Sequence, residues 1–229
     1  MSAMPIPNPI PPLQNGDTLT RAEFERRYDA MPRLKKAEFI EGVVYMPSPV
    51  RVGHHASPHI ALATWSGTYW VNTPGIQAGV EASIRLDLKN EPQPDVVLFI
   101  LPSHGGQALI SADDYVEGAP EWVGEVSASS ASIDLNTKFR AYQRNGVREY
   151  LVWRVPDRAV DWFVLRDTRF VPLPPGEDGI LRSEVFPGLW LDPAALTKGD
   201  LVAVLRVLQR GLESPEHADF VARLQQHAG

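Results

Sequence analysis

Residues 122–138 read WVGEVSASSASIDLNTK, and the fold of the chain turns on how this stretch is parsed. A short apolar run carries one carboxylate, Glu125. Small hydroxyl residues follow, and then the start of a helix that bears Lys138. Read as structure alone, this is a strand end and a helix start. Read as chemistry, it is half of a metal site, because a carboxylate set into a buried strand must lose its charge or find a partner. A second acid, Asp95, opens the run PDVVLFIL (94–101), whose near-continuous apolar character marks a strand covered on both faces. Two such acids on neighbouring strands repel each other unless a cation lies between them. Mg²⁺ suits that place, since it takes one or two carboxylates together with waters and phosphate oxygens. Each residue also has an ordinary reading. Asp95 after Pro94 can simply begin a strand, Glu125 can pair with Arg140 or Arg148, and Glu38 and Lys138 can be solvated.

Composition narrows the classes. A length of 229 residues suits one large domain and supports a core without staples. The chain has no cysteine, which excludes disulfides, thiolate zinc sites and cysteine nucleophiles and fits a cytoplasmic location. No stretch approaches the ~18–20 apolar residues that span a bilayer. The Pro-rich start, MSAMPIPNPIPPLQNG, lacks the basic and apolar regions of a signal peptide and reads as a disordered tail over 1–16. The net charge of −6 provides no overall basic surface for nucleic acid, although RLKK (33–36), Arg140, Arg144 and Arg148 are local basic clusters. There is no G-x-G-x-x-G, no G-x-x-x-x-G-K-[ST] and no G-x-S-x-G.

Along the chain, Thr20 and Glu23 form a capping-box pattern that opens a helix. AEFIEGVVYMPSP (37–49) reads as a strand, a Gly turn and a second strand. Residues 58–71 read as a helix with Ile60, Ala63 and Gly67 on one face. GVEASIRLDL (79–88) alternates as a single strand, with Val80, Ala82, Ile84, Leu86 and Leu88 on one side. SIDLNTKFRAYQRNG (132–146) reads as a helix stopped at Gly146, and two more strands flank the turn at 156–158. Residues 193–228 read as two helices broken at Ser214–Pro215. The six tryptophans fall mostly in apolar segments and read as core more readily than as base-stacking platforms. His55 and His59 have the i,i+4 spacing that can seat zinc, but no H-E-x-x-H motif surrounds them and Pro58 separates them.

The ordered set LTRAEFERR (19–27), AEFIEGVVYMPSPV (37–50), HHASPHIALATW (54–65), EPQPDVVLFIL (91–101), residues 118–155 and SEVFPGLWLDPAAL (183–196) resembles the Uma-type (Uma-two) family of restriction-endonuclease-like proteins, within the PD-(D/E)XK nuclease superfamily. The resemblance implies an α/β fold: a restriction-endonuclease-like mixed β-sheet core over 17–192, flanked by helices, with a helical C-terminal appendage over 193–229. It implies a metal-dependent endodeoxyribonuclease that uses Mg²⁺ or Mn²⁺ on DNA, with a homodimer as the expected assembly. Carried over position by position, Asp95 and Glu125 match the metal ligands, and Glu38 matches the superfamily's early acid. Ser127 stands where the superfamily has its lysine, and Lys138 is the replacement that the family pattern implies. The family often carries a histidine near His55. His55, Arg140 and Arg144 are the expected substrate contacts. Two other functions stay open: a binding or dimerisation module that retains the fold without turnover, and a metal-dependent phosphohydrolase acting on something other than duplex DNA.

Overall fold

A computed structural model of the chain describes residues 9–46 and 51–227. Helix α1 (Arg21–Asp29) begins where the capping box places it, with the Thr20 hydroxyl accepting from the Glu23 N–H at 3.3 Å. Strands β1 (Glu38–Ile40) and β2 (Val43–Tyr45) form a hairpin across Glu41 and Gly42. Both turn residues have positive φ (54° and 80°), the conformation whose twist matches a two-residue hairpin. The prolines expected to stop this pairing, Pro47 and Pro49, lie outside the described residues. A π-helical turn (Val52–Ala56) leads into α2 (Ser57–Val71). Then come β3 (Ile76–Val80), β4 (Ile84–Arg85), β5 (Val96–Ile100), β6 (Leu109–Ile110), β7 (Val116–Glu117) and β8 (Trp122–Ser127). A second π-helical turn (Ile133–Lys138) runs into α3 (Phe139–Asn145), which ends at Gly146 with φ 85°. The remaining elements are β9 (Glu149–Arg154), β10 (Ala159–Arg166), β11 (Arg169–Pro172), β12 (Leu181–Arg182), β13 (Trp190–Leu191), α4 (Pro193–Lys198), α5 (Leu201–Leu212) and α6 (Pro215–His227).

The expected mixed α/β core is present. Six strands are ordered β11-β10-β9-β8-β5-β3, with every pairing antiparallel except β8 with β9. That parallel pair needs a crossover, and the π-helical turn and α3 supply it. Side chains on a strand alternate between faces, so β8 divides cleanly. Trp122 and Val126 join α2 in the larger hydrophobic cluster, where Trp65, Trp122 and Trp162 pack with ring centroids 5.8–6.3 Å apart. Val123 joins Tyr142 and Tyr150 on the opposite face. Glu125 shares the parity of Val123 and therefore faces α3. Gly124 sits on the α2 side, where a Cβ would lie 2.4 Å from the Trp122 ring and 3.2 Å from Leu62; the bare backbone lets that indole lie flat.

Several sequence expectations need correction. The buried face of α2 is Leu62, Trp65, Ser66 and Tyr69, while Ile60 is exposed. The large rings, and not the small-residue stripe, seek the sheet. GVEASIRLDL is not one strand. Glu81 adopts φ 52°, so β3 ends in the main sheet and β4 pairs in parallel with β7 in a separate three-stranded sheet. The C-terminal segment forms three helices, since Gly199 (φ 77°) separates α4 from α5, and the expected break at Ser214–Pro215 separates α5 from α6. These helices bury Leu196, Val204, Leu208, Phe220 and Leu224 in the same cluster as the sheet, so one continuous core crosses residue 193. Of the tail expected over 1–16, residues 1–8 lie outside the described residues. Leu13 packs with Phe24 and Phe39, and the Gly16 N–H donates to the Val44 carbonyl at 2.8 Å. No helix among the described residues is long and apolar enough to cross a membrane.

Among the buried acids away from the cleft, Glu91 carries a pH signature with no hydrogen bond to offset it. Glu91 is 1% exposed, and neither of its carboxyl oxygens has a hydrogen-bond donor among the described residues. Burial, reinforced by neighbouring Glu25, pushes its pKa up to about 8. The folded state therefore keeps a proton that the unfolded chain releases near its ordinary value of 4.5. The stabilisation is complete below that value and is lost as pH rises through about 8, at up to about 1.4 kcal/mol per pH unit traversed. Glu91→Gln should flatten the fall in urea midpoint between pH 5 and pH 8. An unchanged slope would place the ionisation elsewhere.

Candidate active site

The antiparallel register of β5 and β8 sets Val96 opposite Gly124, and by continuation it sets Asp95 across from Glu125. The backbone confirms the contact: the Val126 N–H donates to Asp95 Oδ2 at 2.7 Å. Asp95 Oδ1 faces Lys36 Nζ and His55 Nε2, each at 3.5 Å. Burial alone would raise the Asp95 pKa, but His55, Lys36 and the Val126 N–H together hold it well below the carboxylate range.

Lys138 points inward. Its side chain is 4% exposed, and Nζ lies 2.8 Å from Glu125 Oε1, 2.7 Å from Glu38 Oε1 and 3.7 Å from Asp134 Oδ1. Burial would lower its pKa, yet these carboxylates drive it well above the ordinary lysine value. Burial pushes Glu125 up to about 8; Lys138 opposes the rise, and Asp134, Asp95 and Glu38 add to it. Glu125 Oε1 also accepts from the Tyr142 hydroxyl at 3.1 Å. Glu38 opens β1, not a helix, and its Oε1 accepts from the Gln93 N–H at 2.8 Å, which ties the hairpin to the segment before β5. Asp134 holds the loop after β8 by accepting from the hydroxyls of Ser127 and Ser130. Ser127, where the resemblance leads one to expect a lysine, is thus a loop anchor.

These groups line one cleft of about 1230 Å³, with Lys35, Lys36, Arg51 and His55 among its other walls. Five carboxylates and four basic side chains line it, and four of those acids (Glu38, Asp95, Glu125, Asp134) gather around Lys36 and Lys138. Glu38 Oε2 and Glu125 Oε2 have no hydrogen-bond donor among the described residues, and Asp95 Oδ1 has only the two contacts at 3.5 Å. Carboxylate oxygens in an acid-rich cleft are the donor set of a hard divalent cation, so the residues fit Mg²⁺.

Sequence reading expected Asp95, Glu125, Lys138, Glu38 and His55 to share a site, and the structure brings all five to this cleft. It does not bring Arg140 or Arg144. Arg140 is exposed outside the cleft, and Arg144 pairs with Glu41 at 2.6 Å and Asp87 at 3.5 Å. Both arginines follow Lys138 by less than two turns, but the inward face of α3 belongs to Ala141 and Tyr142. The residues missed were Lys36, Asp134 and Tyr142 as polar partners. Each had a local signal: Lys36 lies two residues before Glu38, and Asp134 and Tyr142 each lie four from Lys138, the spacing of neighbours on a helix.

Residues 21–194, most of the chain, match the family model described as "Uma2: Putative restriction endonuclease". The chain belongs to the Uma2 family. Its fold is similar to that of a crystal structure described as a putative nuclease belonging to DUF820, from Anabaena variabilis. The TM-score is 0.51 at 14% identity, over 75% of this chain and 97% of that one. At that identity the likeness speaks for the fold alone. No curated protein matches the chain. Membership in Uma2 places the chain in a family described as restriction-endonuclease-like.

Proposed function

We propose that the protein is a metal-dependent endodeoxyribonuclease that hydrolyses DNA phosphodiester bonds. Asp95 and Glu125 would hold the metal, Mg²⁺ or Mn²⁺. The observation that carries this reading is the inward lysine. Lys138 lies within 2.8 Å of Glu125 and of Glu38, on the same cleft as Asp95.

A bound divalent ion supplies a lowered water pKa and charge stabilisation at the phosphate. The remaining work belongs to the chain. Asp95 and Glu125 present oxygens fixed by the Val126 N–H and by Lys138 with Tyr142. Glu38 shares Lys138 with Glu125 and positions it. Lys36, partly open to the cleft beside Asp95, is the ammonium placed to meet a phosphate oxygen, together with Lys35 and Arg51 on the wall. His55 lines the same wall. A second reading, a phosphohydrolase acting on a short or single-stranded substrate, gains from the basic groups lining this cleft being few once Arg140 and Arg144 fall outside it. Cleavage of both duplex strands would use two copies, so we place the enzyme as a cytoplasmic homodimer.

The test is cleavage of supercoiled plasmid by the full chain with Mg²⁺ or Mn²⁺, beside Asp95→Ala and Glu125→Ala. Wild type should nick and linearise while both variants fall to background. Equal cleavage by all three would mark a contaminant and end the nuclease reading. Turnover of a short single strand with an intact plasmid would favour the second reading.

A further inference from the structure

A smaller cavity of about 300 Å³ adjoins the cleft, lined by His55, His59, Ile60 and Glu81 among others, and it shares His55 and Glu81 with the main site. One donor atom each from His55, His59 and Asp95 lie within 4.8 Å of one another, the one such trio of metal-ligating residue types among the described residues. His55 Nε2 stands 3.5 Å from Asp95 Oδ1. That is longer than a good N–H···O hydrogen bond. It is a natural separation for two ligands on one ion with bonds of about 2.0–2.2 Å. His55 Nδ1 is buried without a hydrogen-bond partner among the described residues.

His59 Nε2 lies 2.9 Å from the Asp95 main-chain carbonyl, which can only accept, so Nε2 carries a proton and Nδ1 is the nitrogen that the neutral ring would offer to an ion. Metal-ligating histidines usually donate their second ring N–H to a carbonyl or carboxylate in this way. The same carbonyl accepts from the Glu81 N–H at 3.3 Å, and Glu81 holds a left-handed φ of 52° at the mouth of the cavity. Backbone strain of this kind persists where surrounding structure imposes it, often beside ligand sites. Lys36 Nζ, also 3.5 Å from Asp95 Oδ1, is the charge with which an ion here would compete.

We propose that His55, His59 and Asp95 form a second divalent-cation site, which takes a first-row transition-metal ion down to Mn²⁺ in preference to Mg²⁺ and shares Asp95 with the oxygen-lined position. Two imidazoles and one carboxylate favour first-row transition metals over Mg²⁺, which prefers oxygen alone. The site draws on the nuclease reading only in sharing Asp95, and its test is read without cleavage.

The probe is Mn²⁺ alone on the untagged full chain, with bound ions counted by electron paramagnetic resonance and coordinated nitrogen read by the pulsed form of the experiment. Wild type should bind about two ions and show imidazole nitrogen coupling. His55→Ala combined with His59→Ala should lose that coupling and one ion. Glu125→Gln should lose the other ion and keep the coupling. Excess Mg²⁺ should displace the uncoupled ion first. Should the double variant unfold by circular dichroism, His55→Gln and His59→Gln singly should each weaken the coupling. Absence of nitrogen coupling in wild type, or its persistence in the folded histidine variants, would overturn the site. Nitrogen coupling present with no DNA cleavage would overturn the nuclease reading alone.

Discussion

Lys138→Met should lower the stability of the metal-free protein by about 3–5 kcal/mol at pH 8, the usual cost of removing one partner from a buried charge pair. Methionine keeps most of the side-chain volume, so the loss reports charge and not a cavity. In wild type the ammonium sits 2.7 Å from Glu38, 2.8 Å from Glu125 and 3.7 Å from Asp134, nearly sealed from water. Without it, three carboxylates are left to repel one another in a low-dielectric pocket. They have one escape, which is to take up protons, and Glu125 is already displaced up to about 8 by burial. The variant's deficit should therefore shrink as pH falls from 8 toward 5, because protonation replaces the missing counter-charge. Saturating Mg²⁺ should also stabilise the variant more than wild type, since a bound cation neutralises the same acids. Urea denaturation at pH 5 and pH 8, with and without Mg²⁺, reads all three effects. A deficit below about 1 kcal/mol at pH 8 would show that Lys138 is not the counter-ion of the cage.

Much of this site was legible because its determinants are local. A carboxylate within an apolar strand announces that it needs a partner, and the period of 2 along β8 fixes which face Glu125 occupies. Lys138 follows within one connection, and Gly146 ends the helix where a left-handed residue is needed. What could not be read was set by partners distant in sequence. The direct opposition of Asp95 and Glu125 depends on the β5–β8 register, which no residue near either acid specifies. The two faces of α2 are ambiguous in sequence because both carry apolar groups; the docking of Trp65 against Trp122 and Trp162 decides between them. Alternation in GVEASIRLDL predicted continuous pairing, but β3 finds β5 whereas β4 finds β7, and the chain kinks at Glu81 to reach both. Leu13 shows the same limit at the N-terminus. A proline-rich context reads as unfolded until the hairpin that buries it is known.

Asp95→Asn should abolish Mg²⁺-dependent plasmid cleavage, with a rate loss of at least about 10³-fold, at the upper end of what removal of a single electrostatic transition-state contact costs. The amide is the informative replacement because it separates charge from structure. An asparagine oxygen can still accept the Val126 N–H that Asp95 Oδ2 accepts at 2.7 Å, so the β5–β8 junction survives. The negative charge is what disappears, and with it the attraction for a cation and the partner of Lys36 and His55. Glu121→Gln is the control for a buried acid away from the cleft, and it is the harsher change for the fold, since both Glu121 oxygens accept a backbone N–H and an amide can keep only one of these bonds. Glu121 is also fully buried and also braces β5, accepting the Ile100 N–H at 2.8 Å and the Gln107 N–H at 3.1 Å, but it lies outside the cleft. If cleavage depends on a metal held at the cleft, Glu121→Gln keeps near wild-type rates below its urea midpoint while Asp95→Asn loses them, even though Glu121→Gln is the less stable of the two. If both variants lose activity in step with stability, the buried acids matter only as structure, and Asp95 forfeits its place as a ligand. If both retain it, hydrolysis occurs elsewhere on the molecule. Burial alone cannot distinguish these two aspartate and glutamate residues; the cleft in front of Asp95 does.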